Sequence, residues 1–409
     1  MATRIRYMGN KHDVAPTVAA LVAEQPHSVP LVDAFCGMCS IGGSIAPSSR
    51  QVICNDVQSF AALVARCLIA TRPGPPAVKT ARAAMAGAYA YNRRLLVERF
   101  SDELAEEDEI LEAADAAAYR RAYQDWRHAG NDDNLAEEVA AAGIATPYRL
   151  ATLSFAWGYF GLRQSIAIDS IRYAIDRARA TGAMSGPQAD WALVALLQAA
   201  SCAAASPGHF AQYLRANGDQ GFIRVLRQRR RNLWTQFLEE LHLLRPYGLG
   251  DWREENTVVQ SDALSVFSEL DRLDLKRAIV YADPPYSKDH YSRYYHVLET
   301  LVLYDYPSLE GKGRYRPDRF VTPFSLKGGV QQAMSEFCAS IQERGFTLIL
   351  SYPSNGLLNG ECGIDLTEFL AEHFDDVDLQ MRKPTTHSTL GARHGTARNA
   401  VEELLWVAR

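Results

Sequence analysis

The apolar run Ala278-Ile279-Val280-Tyr281-Ala282 stops abruptly at Asp283-Pro284-Pro285-Tyr286. That stop constrains the fold more than any other stretch of the chain. The run reads as a buried strand, and the two prolines behind it end the strand and fix φ so that the turn cannot relax. A carboxylate, two prolines and an aromatic ring thereby form a rigid shelf at the ligand edge of an open α/β sheet. The four residues suit one task, holding a planar group that carries an exocyclic amine. Asp283 can accept a hydrogen bond from the amine, Pro284 supplies a free carbonyl acceptor, and Tyr286 offers a ring face for stacking. A simple strand-ending turn would look the same over four residues, so the reading depends on the rest of the chain.

Both ends of the chain have the rhythm of a doubly wound sheet. Val14, Val18, Leu21 and Val22 form a helical stripe; Val29-Pro30-Leu31-Val32 leads into the small-residue turn Asp33-Ala34-Phe35-Cys36-Gly37; Gln51-Val52-Ile53-Cys54 is a second strand ending at Asn55-Asp56. Phe60, Leu63, Val64, Cys67 and Leu68 make the next helical face. Arg72-Pro73-Gly74-Pro75-Pro76 then marks a boundary, and from there to about Asn256 the pattern is helical, rich in Ala, Arg and Glu. Strand character returns at Thr257-Val258-Val259, at Ile279-Val280-Tyr281, at Phe346 to Leu350, around Val377 and from Val401 to Val407. The expected architecture is one Rossmann-like α/β domain, residues 1–72 and 256–409, interrupted by a helical insertion over 73–255. At roughly 180 residues that insertion is too long for a connecting loop.

With 409 residues, 47% hydrophobic and 22% charged, the chain reads as a globular enzyme. No apolar run approaches the ~18 residues that span a membrane, and the start, Met1 to Arg6, lacks the apolar core of a signal peptide, so a cytoplasmic protein is expected. A net charge of −5 does not announce a nucleic-acid binder, although a local basic patch is what phosphate contacts need. Cys36 and Cys39 form a CxxC without a partner pair at zinc spacing. They are read as small residues lining a tight turn, and no metal is expected. The acidic run from Asp102 to Glu112 reads as a solvated helix face.

The turn Asp33 to Ser40 lets a ligand approach backbone N–H groups closely. Asp33, Phe35, Cys36 and Gly37 are its candidate binding residues. Asp56 ends the next strand about 20 residues on, where an acid meets a ribose diol in a nucleoside-binding α/β fold. No GxxxxGK[ST] loop is present, which favours a nucleoside ligand over a nucleoside triphosphate. The bland alternative is a tight βα turn and a solvated aspartate.

Taken in order, these segments resemble the Dam-like family of DNA adenine-N6 methyltransferases. Arg6-Tyr7-Met8-Gly9-Asn10-Lys11 is similar to the family's N-terminal motif, Asp33 to Gly37 to its first cofactor motif, and Asn55-Asp56 to its ribose-binding acid. Trp157 to Gln164 is similar to an insertion element near the DNA, Ser261-Asp262 to the acid that reads the cofactor's adenine, and Asp283 to Tyr286 to the catalytic motif. Leu350 to Pro353 and Glu402 to Val407 are similar to its closing strands. Two positions depart from the pattern: Cys39 stands where a second glycine is usual, and Asn10 where a glycine precedes Lys11.

The resemblance implies S-adenosylmethionine as methyl donor and a flipped-out adenine in double-stranded DNA as acceptor. Asp283, Pro284, Pro285 and Tyr286 would be catalytic; Tyr7 and Lys11 would border the donor's methionine end, Asp56 would hold its ribose and Asp262 its adenine amine. Lys11 could equally open a helix at the surface, and Asp262 could be an N-cap. For DNA contact the candidates are the arginines Arg224, Arg227, Arg230 and Arg231, three of which (Arg224, Arg227, Arg231) recur at helical spacing, with Tyr159, Arg163 and Gln164 as a second set. Arg293 lies in an aromatic, basic segment, Lys288 to Tyr295, that could close over the nucleotide as a lid. His290 and His296 are read as polar loop residues without a chemical role. A cognate restriction endonuclease or other defence-system partner would fit such a protein. Transfer to cytosine N4 or to adenine in RNA, or a non-catalytic DNA-binding role on the same fold, remains the alternative.

Overall fold

In a computed structural model the structure describes residues 3–9, 11–129, 146–215, 218–288, 290–387 and 399–409. They divide into two compact units. The first comprises residues 1–9, 73–246 and 293–319, the second 10–72, 247–292 and 320–409.

The second unit is built on a seven-stranded sheet in the order β3-β2-β1-β4-β5-β7-β6. Its strands are β1 (Leu31–Asp33), β2 (Val52–Asn55), β3 (Thr257–Val259), β4 (Ile279–Ala282), β5 (Thr347–Pro353), β6 (Val377–His387) and β7 (Asn399–Ala408). Strands β1 to β5 run parallel, and β7 inserts antiparallel between β5 and β6. Every residue of β1, β2 and β4 is buried, as expected where helices cover both faces of a parallel sheet. On one face Val32, Ile53, Val280 and Leu348 pack with Phe267 and Phe337 from the helices Val266–Arg272 and Val330–Gln342. All seven strands lie where strand character is expected, although β6 is largely polar and runs on from Val377 to His387, and the architecture is the expected mixed α/β fold.

The first unit is helical. Its long helices Val78–Arg99 and Leu162–Ala180 pack on each other, and Gly186–Ala203 packs on both Leu162–Ala180 and Leu233–Leu243. Residues 293–319 also belong to this unit, including the helix His296–Leu303. The acidic helix Ser101–Ala113 turns most of its carboxylates outward, with one exception. Glu107 is buried and accepts the N–H groups of Leu162 (2.7 Å) and Arg163 (2.9 Å), so it satisfies two orphan donors at the start of another helix. Gly161 makes room for it: a Cβ there would stand 2.5 Å from Glu107 Oε1.

Candidate active site

Asp33 ends β1 and Asp283 follows β4, and these two strands are hydrogen-bonded neighbours in register Asp33↔Tyr281. β2 and β3 lie on one side of this pair and β5 on the other, so the strand order reverses here. Open α/β sheets bind ligands in the crevice that such a reversal leaves at the carboxyl ends of the strands.

The shelf carries a three-membered ion cluster. Lys11 Nζ lies 3.0 Å from Asp283 Oδ1 and 2.6 Å from Glu403 Oε1. Ser351 Oγ donates to the same Glu403 oxygen at 2.6 Å. Side-chain exposure is 9% for Lys11, 15% for Asp283 and 6% for Glu403, so the catalytic candidate is the most open of the three. Burial alone pulls the ammonium of Lys11 down, but Asp283 and Glu403 more than reverse this and leave it raised. Burial pushes Asp283 up to about 6; Lys11 opposes the shift and the Glu403 carboxylate adds to it. Asp283 is thus a carboxylate at neutral pH, held within reach of a ligand by a cation that cannot leave.

The rest of the tetrapeptide is rigid. Pro284 is buried, and its carbonyl takes no hydrogen bond among the described residues. The carbonyl of Tyr286 accepts the Leu357 N–H at 2.9 Å. The half-buried Tyr286 ring stands edge-on to Tyr352 at 6.5 Å, with Lys11 Nζ 5.8 Å from its centroid.

The turn Asp33 to Gly37 is stitched to its neighbours by polar groups. The Cys36 N–H donates to the Asn55 carbonyl (2.9 Å) and the Gly37 N–H to Asp56 Oδ2 (3.1 Å). Asn55 Nδ2 donates to the carbonyls of Ala34 and Ser261, both at 3.1 Å, and the Ser261 N–H returns a bond to Asn55 Oδ1. Asp33 is buried, and neither carboxylate oxygen meets a donor in hydrogen-bonding geometry among the described residues. Burial drives its carboxyl well above the usual range, only partly offset by the nearby Phe35 N–H. Phe35 is half-buried, edge-on to Phe324 at 5.5 Å. Asp262 Oδ1 accepts the Leu264 N–H at 2.8 Å, an Asx turn that leads into the helix Val266–Arg272. Asp33, Phe35, Cys36, Gly37, Asp56, Asp262, Lys11 and Asp283 to Tyr286 all fall within the sheet unit. Tyr7 belongs to the helical unit, where it stacks on Tyr295 at 4.6 Å.

The nucleic-acid candidates divide by burial. Arg224, Arg227 and Arg230 are exposed and Arg231 is half-buried. The helix Gly218–Arg229 ends before Arg231, so Arg231 does not share a helical face with Arg224 and Arg227; its Nη1 donates to the Cys202 carbonyl. Two candidates are corrected. Tyr159 is fully buried, its hydroxyl donating to the Phe210 carbonyl. Gln164 is buried too, with Nε2 donating to the carbonyls of Gln228 (2.8 Å) and Arg231 (3.1 Å). Together with Arg229, which donates to the carbonyls of Gly158 and Tyr159, they knit helices together and present nothing to a nucleic acid. Arg163 is exposed and paired with Asp108. Arg293 donates through Nε to the Tyr315 hydroxyl at 2.9 Å.

Within the expected lid segment, Tyr294 and Tyr295 are buried, and Asp289 lies outside the described residues. His296 is not a loop residue: it opens the helix His296–Leu303, is buried, and is pushed down to about 3 by that burial, so it stays neutral.

Sequence reading missed Glu403 and Asn55 as parts of the site. Glu403 left a signal, as one of two adjacent carboxylates (with Glu402) inside the otherwise apolar run Val401 to Val407, since a buried acid needs a partner. Asn55 stood out only as the neighbour of Asp56, because an asparagine at a strand's end reads as an ordinary turn residue.

Residues 199–347 match the family model described as D12 class N6 adenine-specific DNA methyltransferase, a span that holds Asp262, Asp283 to Tyr286 and the arginines Arg224 to Arg231. The chain is 28% identical over 201 residues to the type II methyltransferase M.FokI of Planomicrobium okeanokoites, covering 49% of this chain and 27% of that protein. It is 27% identical over 141 residues to the modification methylase StsI of Streptococcus sanguinis, covering 34% of this chain and 20% of that protein. Against the modification methylase LlaI of Lactococcus lactis subsp. lactis it is 25% identical over 216 residues, 52% of this chain and 31% of the relative. The matches thus cover less than a third of each curated relative's length. Among the described residues no helix is long and apolar enough to cross a membrane. Over residues 199–347 the chain is thus similar to D12 class N6 adenine-specific DNA methyltransferases, and the relatives it resembles are DNA modification methyltransferases.

Proposed function

We propose that the chain transfers a methyl group from S-adenosylmethionine to N6 of an adenine in double-stranded DNA. The observation that carries this reading is the shelf: a carboxylate near 6 and a proline carbonyl that takes no hydrogen bond among the described residues, side by side at the sheet's reversal point. An adenine N6 lone pair is delocalised into the ring. Hydrogen bonds from its two N–H groups to Asp283 and to the Pro284 carbonyl draw the nitrogen toward tetrahedral geometry and make the lone pair available. Tyr286 stacks on the base, which must leave the duplex to reach it. Asp283 is then the group placed to hold the proton that the amine gives up. No covalent enzyme intermediate is required; orientation supplies most of the rate.

The donor supplies an electrophilic methyl on a sulfonium, and the residues of the sheet unit fit such a molecule. Asp33 is a buried carboxyl whose oxygens meet no donor in hydrogen-bonding geometry among the described residues, as suits a cationic amine. Asp56, braced by the N–H groups of Gly37 and Gln58, is available to a ribose diol. Asp262 suits an adenine amine while its other role is the Asx turn. Lys11 acts by holding Asp283 in place.

The helical segment 73–255 is the proposed target-recognition region, with Arg224, Arg227 and Arg230 on phosphates. Because the relatives are modification methylases, a restriction endonuclease or another defence component is the proposed partner. The test is methyl transfer from labelled donor to unmethylated duplex DNA by the wild type and by Asp283→Asn. The variant should lose on the order of 10³-fold in rate while still binding donor; undiminished transfer would sink the mechanism.

A further inference from the structure

The turn Asp33 to Gly37 stands over a trio of thiols. Cys36 and Cys39 come from the turn and the residues just after it, Cys54 from β2, and their Sγ atoms all lie within 4.8 Å of one another. All three are buried, and none is in a disulfide. A zinc ion binds thiolate sulfur at about 2.3 Å, which sets sulfurs roughly 4 Å apart around a shared ion. The trio therefore closes on an ion with shifts of about an ångström or less.

The backbone at Cys39 adds a separate observation. It has φ 58° and ψ 35°, in the left-handed region that glycine enters freely and a residue with a Cβ enters at a cost. Cys39 is one of eight non-glycine residues with positive φ among those described, and its side chain belongs to the trio. The CxxC taken alone lacked a partner pair in sequence; β2 supplies the third sulfur from 15 residues beyond Cys39, since the two strands pair in register Asp33↔Cys54.

We propose that Cys36, Cys39 and Cys54 bind one soft, closed-shell divalent cation of the zinc class, which locks the turn carrying Asp33 and Gly37. Three S–H bonds give up protons and three sulfur–metal bonds form; no redox step is involved. Thiolate ligands select such an ion over magnesium or calcium, whose preference is for oxygen. The proposal does not depend on the methyltransferase reading, although Cys36 lies in the turn which that reading assigns to the donor.

The test uses the full chain, reduced, stripped with chelator and equilibrated with Zn²⁺ or Cd²⁺. Expected are uptake of about one equivalent, the ultraviolet thiolate-to-cadmium band, and a rise in Tm from binding to the folded state alone. Cys39→Gly is the fold-safe variant, because glycine suits the backbone there. It should keep or raise the metal-free Tm and lose both the cadmium band and the metal-dependent rise, and Cys54→Ser should also lose the band. No uptake by the wild type overturns the proposal, as does unchanged uptake by Cys39→Gly. A Cys36–Cys39 disulfide as the only chemistry of the trio would overturn it too.

Discussion

Lys11 is a single ammonium shared by two buried carboxylates, so the cluster it forms with Asp283 and Glu403 carries an excess negative charge. Burial, to which the Glu403 carboxylate adds, explains why Asp283 sits near 6 although a cation is 3.0 Å away. The consequences for stability and for activity have opposite signs. The unfolded aspartate titrates near its ordinary 3.8, so between about 4 and 6 the folded state binds the proton that the unfolded chain releases. Burying this carboxylate therefore costs stability at neutral pH, and the cost fades as pH falls through 6. Methyl transfer needs the carboxylate as acceptor, so kcat/KM should fall as pH drops through about 6; a flat profile from pH 8 to 5 would contradict the assignment. Asp283→Asn relieves the excess charge and should raise stability by about 1 kcal/mol even as it removes activity, measured by thermal melting at pH 7. Lys11→Met does the reverse. It strands two carboxylates and should cost about 3–5 kcal/mol, read from denaturant unfolding.

At the scale of elements, the helix Leu162–Ala180 begins on a carboxylate borrowed from the helix Ser101–Ala113. Glu107→Ala should cost about 2 kcal/mol through two unsatisfied N–H groups, whereas the exposed neighbour Glu109→Ala should cost almost nothing. Equal effects would show that the cap is not what holds the junction. The helix Gly218–Arg229 makes a different prediction. Replacing Arg224 and Arg227 with Ala should weaken DNA binding and lower the salt dependence of log Kd by about 0.9 for each phosphate no longer neutralised, with unchanged folding. The sheet was legible from sequence because its strands are apolar runs ended by acids, asparagine or proline, and such runs have few other places to go. The helical segment was not legible in the same way. Tyr159, Gln164 and Arg229 look like nucleic-acid ligands by residue type, but type does not reveal burial; all three are consumed by carbonyls of neighbouring turns. Lys11 was legible through its motif, while its partner Glu403 lies 392 positions away and is brought to it by β7 pairing with β5.

At the scale of the whole molecule, chain order and structural unit differ. The sheet unit draws on three separate stretches, and residues 293–319, which come shortly after the tetrapeptide Asp283 to Tyr286, cluster with the helices. The tetrapeptide is thus joined through a short stretch of chain to a segment of the helical unit. A methyl mark on DNA is the most direct expression of the proposed activity. The decisive measurement is nucleoside analysis of unmethylated duplex DNA after incubation with the full chain and methyl-labelled S-adenosylmethionine. The account predicts label in N6-methyladenine, and none when Asp283→Asn replaces the wild type. Label in N4-methylcytosine, or none from a wild type that binds both donor and DNA, would contradict it.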